Sequence, residues 1–212
     1  MKDMIIGVDI GGTKTLLACF AENGKLLKKV RFETNRNYEE FLVDLEKHAG
    51  SLDTGKAKIA CAAVPGLLDR KRGVVEHLGN LPWKDQYIQH DIARALGIKQ
   101  TYIENDSKLA GLAEARYITD RYKRVFYLTL STGIGGALVV DGKLVPELLD
   151  MEIGKTPLLY EGKIAHWEEF ASGIAAGLGI VYSCYQPEAV VFGGGLGQRL
   201  ARFKHYLTPY LE

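Results

Sequence analysis

Short apolar runs separated by glycine-bearing turns open the chain. Residues 4–9, 15–20 and 26–32 are rich in β-branched and other apolar side chains, and Gly11-Gly12 and Asn23-Gly24 interrupt them. This pattern predicts an antiparallel meander, because Asn-Gly between two such runs favours a tight hairpin turn.

A helix and a buried strand are predicted next. Residues 38–52 carry apolar positions at helical spacing, and Asn37 with Glu40 three residues later predicts a capped N-terminus. Residues 57–64 are almost continuously apolar and stop at Pro65-Gly66. A run without alternation is typical of a strand buried on both faces in the centre of an α/β sheet. Further strands and helices are predicted at residues 73–77, 90–96, 100–104 and 106–117.

The second half of the chain repeats the order of the first. Strand, glycine turn, strand, Asx-Gly turn and strand occur over residues 5–27 and again over residues 125–145. The repeat predicts an α/β protein of two similar domains, residues 1–107 and 108–212, with the glycine turns facing a central cleft. A helix, a strand and a final helix are predicted at residues 167–184, 189–192 and 196–211. We expect the C-terminal helix, about residues 197–212, to pack near the first domain.

Composition narrows the class of protein. The 212 residues carry a net charge of +1 with mixed signs, which does not favour nucleic acid or a membrane surface as partner. The three cysteines are isolated in apolar surroundings, which indicates a reducing compartment and no cysteine-based zinc site. No apolar run has the length of a membrane span or of a signal peptide, so we expect a cytoplasmic protein.

The first glycine turn is a candidate phosphate site. Asp9 at a strand end is followed by Gly11, Gly12, Thr13 and Lys14. Bare backbone lets amide groups approach anionic oxygens, and a carboxylate at this place can hold hydrated Mg²⁺. The spacing is not that of a Walker A loop, and an ordinary hairpin turn is an equally good interpretation of this segment alone.

Two further glycine segments lie in the second half. Ser131-Thr132-Gly133 opens a turn at the position equivalent to the first one, and Gly193-Gly194-Gly195 ends a strand. The former lacks the spacing of a dinucleotide fingerprint and suits phosphate binding instead. The latter offers bare backbone to a nucleotide, although a plain strand-to-helix turn would look the same.

A strand-terminal Glu104-Asn105-Asp106 is a candidate catalytic segment. Transfer of a phosphoryl group to an alcohol needs a carboxylate that orients the hydroxyl and accepts its proton. Aspartate is also among the commonest helix N-caps, and from this segment alone the cap is the better interpretation.

Taken together and in order, these motifs resemble the ROK family (repressors, open reading frames and sugar kinases) of the actin/Hsp70/hexokinase superfamily. The segments that carry the resemblance are Asp-Ile-Gly-Gly-Thr-Lys at 9–14, Val-Pro-Gly-Leu-Leu-Asp at 64–69, Asn-Leu-Pro-Trp at 80–83, Glu-Asn-Asp at 104–106, Ser-Thr-Gly-Ile-Gly-Gly at 131–136, Glu-Ile-Gly at 152–154 and Phe-Gly-Gly-Gly at 192–195. The resemblance implies a two-domain actin-like ATPase (ribonuclease H-like) fold and a homodimer. It also implies a glucokinase-like enzyme that uses ATP and Mg²⁺ to phosphorylate a hexose or N-acetylhexosamine at the 6-hydroxyl.

The resemblance implies roles residue by residue, with Asp106 as the catalytic base and Asp9 holding Mg²⁺ through water. The cofactor-binding set is Asp9, Gly11, Gly12, Thr13, Lys14, Thr132, Gly133, Gly193 and Gly194. The substrate-binding set is Gly66, Asn80, Asn105, Asp106, Glu152, Lys155 and Glu168.

The chain departs from the family pattern in three respects. Lys155 stands where the family has a sugar-contacting histidine, and a charged lysine only donates hydrogen bonds, so it suits an anionic group. The cysteine-rich zinc loop is missing, so we predict no structural zinc. The chain is also short between Gly173 and Pro187, on the nucleotide side. These departures leave two alternatives open: a non-catalytic sugar- or nucleotide-sensing protein, and a kinase for another small acceptor.

Overall fold

The computed structural model describes residues 4–52, 57–131, 133–145, 152–155, 159–160, 163–164 and 166–207. Over 152–155, 159–160 and 163–164 the description concerns the backbone only. The chain divides into two units, Met1–Asp106 and Ser107–Glu212, and passes from one to the other at the peptide bond after Asp106.

The first unit contains eight of the described strands and two helices. In chain order they are β1 (Met4–Ile10), β2 (Lys14–Ala21), β3 (Leu26–Glu33), α1 (Tyr38–Gly50), β4 (Ala57–Val64), β5 (Leu67–Asp69), β6 (Val74–His77), β7 (Lys84–Gln86), α2 (Ile88–Leu96) and β8 (Gln100–Asn105).

A five-stranded sheet in the order β3-β2-β1-β4-β8 forms the centre of the first unit. Strands β1, β4 and β8 are parallel, whereas β2 and β3 form the antiparallel meander predicted from the glycine turns. Strand β4 is central, as predicted, but its burial alternates: Ala60, Ala62 and Val64 are inaccessible to solvent, whereas Cys61 is half-buried. The expectation of equal burial on both faces was therefore wrong, since one face carries the hydrophobic core and the other is more open.

The first helix begins as predicted. The Asn37 side-chain oxygen accepts from the Glu40 amide at 3.2 Å. Beside this cap the buried Trp83 ring packs against Tyr38 and Phe41, with ring centroids 5.2 and 4.6 Å away. The helix is thus fixed at its N-terminus by both a cap and an aromatic cluster.

The hairpin at Asn23-Gly24 differs from the prediction. Four residues separate its strands, since β2 ends at Ala21 and β3 starts at Leu26, and the Gly24 amide donates to the Ala21 carbonyl. Only Gly24 has a positive φ, which fits a wider turn with a bulge rather than the two-residue turn. The two-residue form occurs instead at Asp141-Gly142, where both residues have a positive φ.

The second unit repeats the core topology of the first. Its elements are α3 (Asp106–Ala115, which starts on the last residue of the first unit), β9 (Arg124–Leu130), β10 (Gly133–Val140), β11 (Lys143–Leu144), β12 (Glu152–Lys155), β13 (Leu159–Tyr160), β14 (Lys163–Ile164), α4 (Trp167–Tyr185), β15 (Ala189–Gly193), α5 (Gly194–Leu200) and a 3₁₀ helix (Ala201–Tyr206). The sheet order β11-β10-β9-β15 matches β3-β2-β1-β4, with β15 parallel to β9. Strand β15 lies at the edge of this sheet, whereas its counterpart β4 lies between two strands.

The glycines after Thr132 differ from the expected turn. Gly133, Gly135 and Gly136 belong to strand β10 rather than to the turn. Glycine is needed inside the strand because a Cβ atom at Gly135 would lie 2.1 Å from the Ser107 hydroxyl oxygen.

The C-terminal segment was expected to be one helix beside the first domain. It is broken at Phe203, and Leu196, Leu200 and Leu207 are buried in the second unit's own hydrophobic cluster. The Trp167 ring stacks on Phe203 in the same cluster, 5.3 Å between centroids. These apolar side chains thus pack within the second unit, and the expected position near the first domain stays a prediction.

The three cysteines differ in exposure: Cys19 is buried, Cys61 is half-buried and Cys184 is exposed. None of the helices in the described part of the chain is long and apolar enough to cross a membrane.

Candidate active site

The carboxyl ends of the parallel strands in the first unit carry three predicted site residues. Asp9 is the penultimate residue of β1, Asn105 ends β8 and Asp106 starts α3. In the sheet register Asp9 is level with Ala63 of β4, which is level with Glu104 of β8. Two strand spacings, roughly 10 Å, therefore separate the Asp9 and Glu104 backbones.

Hydrogen bonds from Thr34, which directly follows β3, hold the predicted phosphate turn in place. The Gly11 amide donates to the Lys14 carbonyl at 3.0 Å, and the Thr34 hydroxyl donates to the Gly11 carbonyl at 2.8 Å. Thr34 also donates its own amide to the Thr13 carbonyl at 3.0 Å, and its hydroxyl lies 2.9 Å from that of buried Thr15. Thr34 was not identified from the sequence, because it lies far along the chain and no motif marks it.

The phosphate turn also contacts the loop that contains Asn80, a predicted substrate-binding residue. A Cβ atom at Gly12 would lie 2.8 Å from the Asn80 Cβ atom, so only glycine allows this approach. The Arg36 guanidinium donates to the Asn80 carbonyl at 3.4 Å, and the Trp83 ring nitrogen donates to the Arg36 carbonyl at 3.0 Å. The structure therefore brings together Gly12, from the predicted cofactor-binding set, and exposed Asn80, from the predicted substrate-binding set.

Gly66 and Asn105 form a second pair. The Asn105 side-chain nitrogen donates to the Gly66 carbonyl at 3.0 Å, and Asn105 is only 4% exposed. Gly66 has a φ of 94°, and a Cβ atom there would lie 2.1 Å from the His77 carbonyl oxygen. This contact gives Asn105 a structural role in holding the loop after β4, in addition to any contact with a ligand.

An ion pair supports the catalytic segment from outside the motif. The Arg70 Nε donates to both Glu104 carboxylate oxygens at 3.0 Å, and its Nη2 also contacts Oε1. The same Oε1 accepts from the Asn105 amide at 2.7 Å. Arg70 was missed by sequence analysis because it belongs to a hairpin 34 residues before Glu104.

The two candidate catalytic carboxylates influence each other. Partial burial raises the pKa of Asp9 above its ordinary value, the Asp106 carboxylate raises it further, and Arg31 opposes both. A nearby cation would relieve this repulsion, and carboxylate oxygens are the ligands that Mg²⁺ prefers. The residues therefore fit a magnesium site of the kind expected at Asp9.

The second unit positions only part of its predicted residues. Thr132 lies outside the described residues, whereas Gly133 starts β10 and its carbonyl accepts from the Ser131 amide at 3.0 Å. Gly193 ends β15 level with Thr129 of β9. Gly194 has a φ of 77°, and a Cβ atom there would lie 2.3 Å from the Leu130 carbonyl oxygen, so local packing alone requires glycine.

The sugar-contacting residues predicted in the second half lie on two different elements, β12 and α4. Glu152 and Lys155 belong to β12, whose backbone pairs with Gly135 and Gly133 of β10, and their side chains lie outside the description. Glu168 is exposed in the first turn of α4. Within the described part of the chain, no group of three or more His, Cys, Asp or Glu residues could hold a metal ion.

Comparison with known proteins gives consistent results. The family model described as ROK family matches residues 5–166. The chain is 32% identical to the glucokinase of Thermotoga maritima over 149 residues, which cover 68% of this chain and 47% of that protein. It is 33% identical to the N-acetyl-D-glucosamine kinase of Haemophilus influenzae over 173 residues, which cover 78% of this chain and 56% of that protein. The chain thus spans about half the length of the curated relatives that it matches.

Solved structures share the fold. A ROK family glucokinase from Streptomyces griseus, solved in complex with glucose and AMPPNP, superposes with a TM-score of 0.77 at 19% identity, over 96% of this chain and 89% of that one. This likeness confirms the α/β actin-like ATPase fold expected from the sequence. With a family model over more than half of its length and relatives above 30% identity, the chain belongs to the ROK family.

Proposed function

We propose that this chain carries out ATP-dependent phosphorylation of a hexose or N-acetylhexosamine at the 6-hydroxyl. One observation carries the proposal: Asp9 and Asp106 lie at the carboxyl ends of parallel strands, close enough to interact electrostatically, beside a braced glycine turn. Family membership and relatives named glucokinase and N-acetyl-D-glucosamine kinase support it.

Each element of the site has a distinct task in this proposal. The Asp106 carboxylate orients the sugar hydroxyl and accepts its proton as the oxygen attacks phosphorus. The turn at Gly11–Lys14 binds the phosphates with backbone amides, and Thr34 keeps that backbone fixed. Asp9 would hold Mg²⁺ through water, and the ion would neutralise charge on the phosphates.

Substrate recognition falls to residues that offer hydrogen bonds beside these carboxylates. Asn80 next to Gly12, and Asn105 above Gly66, supply amide groups that can donate to and accept from sugar hydroxyls. Glu152, Lys155 and Glu168 are proposed to contribute from the second unit. The identity of the sugar depends chiefly on Lys155, since a donor-only cation replaces the family's histidine.

The test is Asp106→Asn, assayed by coupled ADP release over a panel of hexoses and N-acetylhexosamines. We expect an unchanged far-ultraviolet circular dichroism spectrum and a fall in kcat of about 10²–10⁴, the usual contribution of a positioned base. Asp120→Asn removes the same charge from an exposed residue and should leave turnover unchanged. Near-normal rates in Asp106→Asn would overturn the assignment.

The non-catalytic sensing protein is the second candidate, because the chain is short between Gly173 and Pro187 and carries Lys155. The same assay separates the two functions. Sugar binding without ADP release from any sugar would favour the sensor. A homodimer and a cytoplasmic location stay predictions.

A further inference from the structure

A cavity of about 330 Å³ on the first unit carries positive charge and has no place in the proposed reaction. The side chains that line it with a charge or an imidazole come from three elements, namely the β5–β6 turn, α2 and the loop just before β8: Arg70, Lys71, Arg72, His90 and Lys99. Of the described residues that line the cavity, none is an aspartate or a glutamate.

The walls of the cavity are held together by Gln89. Its backbone amide donates to the Gly73 carbonyl at 3.1 Å, which ties α2 to the β5–β6 turn. Its side-chain nitrogen donates to the Thr101 carbonyl at 2.9 Å, which ties α2 to β8. Gly73 has a φ of 69°, and a Cβ atom there would lie 2.9 Å from the Gln89 Cβ atom. The three elements that carry the cations are therefore fixed relative to one another.

Three of the lining side chains have a carboxylate partner beside the cavity. Asp69 lies 3.9 Å from Arg72, Asp91 lies 3.2 Å from His90, and Glu104 is paired with Arg70. Lys71 and Lys99 are exposed and face the same cavity. The first turn of α2 adds Gln89 and His90 at the positive end of a nine-residue helix.

From this arrangement we infer that the cavity is a binding site for a small phosphorylated anion, separate from the phosphate turn at Gly11–Lys14. Cations converging from three elements suit the several oxygens of a phosphate group, which a single charged stretch would not surround. The volume accommodates a pyrophosphate or a phosphorylated sugar. A bound anion also meets Arg70, whose partner Glu104 accepts from the Asn105 amide.

The test is titration of the ¹⁵N-labelled full chain with pyrophosphate, without nucleotide or Mg²⁺, followed by heteronuclear NMR. We expect saturable shifts of the Gly73, Gln89 and Lys99 amides, whatever happens at Gly12 and Thr13. In the double variant Lys71→Ala/Lys99→Ala the apparent affinity at these amides should fall about tenfold or more. The matched control Lys123→Ala/Lys143→Ala removes the same charge from two exposed lysines of the second unit and should leave the affinity unchanged.

Three results would overturn the inference. One is shifts confined to Gly11–Lys14, which would assign all binding to the phosphate turn. Another is an equal loss of affinity in the control variant, which would mean that net charge alone attracts the anion. The third is the same shifts with sodium chloride at matched ionic strength. The proposed kinase activity does not enter this measurement, so its failure and that of the anion site are distinguishable.

Discussion

At the scale of single residues, the folded structure disfavours the charged form of Asp9. Partial burial and then the Asp106 carboxylate raise the pKa of Asp9, while Arg31 lowers it. A carboxyl with a higher pKa in the folded than in the unfolded state binds more protons when folded. The free energy of unfolding therefore falls as pH rises from the ordinary carboxyl pKa, about 3.9, through the raised value.

Asp9→Asn should for this reason stabilise the protein at pH 7 while reducing its activity. The gain should be small, because the side chain is only partly buried and solvent screens the repulsion. It should also shrink as pH is lowered toward the ordinary carboxyl pKa, where Asp9 itself becomes neutral. Urea unfolding at several pH values measures this, with Asp120→Asn as the exposed control. A variant less stable than the wild type at pH 7 would contradict the expectation.

Gly66 is required for two reasons that can be separated by a control. Its φ of 94° strains any other residue, and a Cβ atom would meet the His77 carbonyl oxygen. Gly97 has a similar φ of 67° but open space around it. Gly97→Ala should cost about 1 kcal/mol in the free energy of unfolding, and Gly66→Ala about 1–3 kcal/mol more. Equal costs in urea unfolding would show that the contact with His77 is readily relieved.

Sequence motifs identified residues whose role depends on local chain geometry. Asp9, Gly12 and Asp106 were predicted because strand ends and glycine turns are visible in the order of residues. Thr34 and Arg70 were not, because each acts through a partner 23 or 34 residues away and neither belongs to a motif. Only the folded chain shows that the phosphate turn and the catalytic segment each depend on such a support.

At the scale of elements, strands and helices were largely predicted, and the errors have physical causes. Gly133, Gly135 and Gly136 favoured a turn, yet they belong to β10, and glycine is required at Gly135 because Ser107 lies close to it. Propensity alone cannot distinguish a glycine needed for its dihedral angles from one needed for its small size.

The edge position of β15 gives a measurable difference from its counterpart β4. Strand β4 is bonded to β1 and β8, whereas β15 is bonded to β9 at the edge of its sheet. Alternate amides of residues 190–192 should therefore exchange with deuterium much faster than any amide of residues 60–62. Amide exchange followed by NMR measures this at each residue. Equal protection along both strands would mean that the outer side of β15 is covered in solution.

At the scale of the whole molecule, the internal repeat was visible in the sequence. Each unit has a hydrophobic cluster of its own, and each contains one of the two tryptophans, Trp83 and Trp167.

Unfolding should accordingly report the two units separately. Trp167→Phe leaves Trp83 as a probe of the first unit, and Trp83→Phe leaves Trp167 as a probe of the second. Each substitution thus lies in the unit that is not being observed. We expect the Trp167 emission to change at lower urea concentration, because the second sheet ends on a half-buried edge strand. Coincident transitions would show that the chain unfolds as a single cooperative structure.

The unequal exposure of the cysteines has a practical consequence for handling this protein. Cys19 is buried. The pKa of Cys61 is raised, chiefly by burial and also by the Glu104 carboxylate, so little of its thiol is in the reactive thiolate form at neutral pH. Cys184 is exposed on α4. A maleimide dye or a spin label should therefore attach to the second unit at one position, without removal of any cysteine and away from β1, which carries Asp9, and from Asp106 at the start of α3.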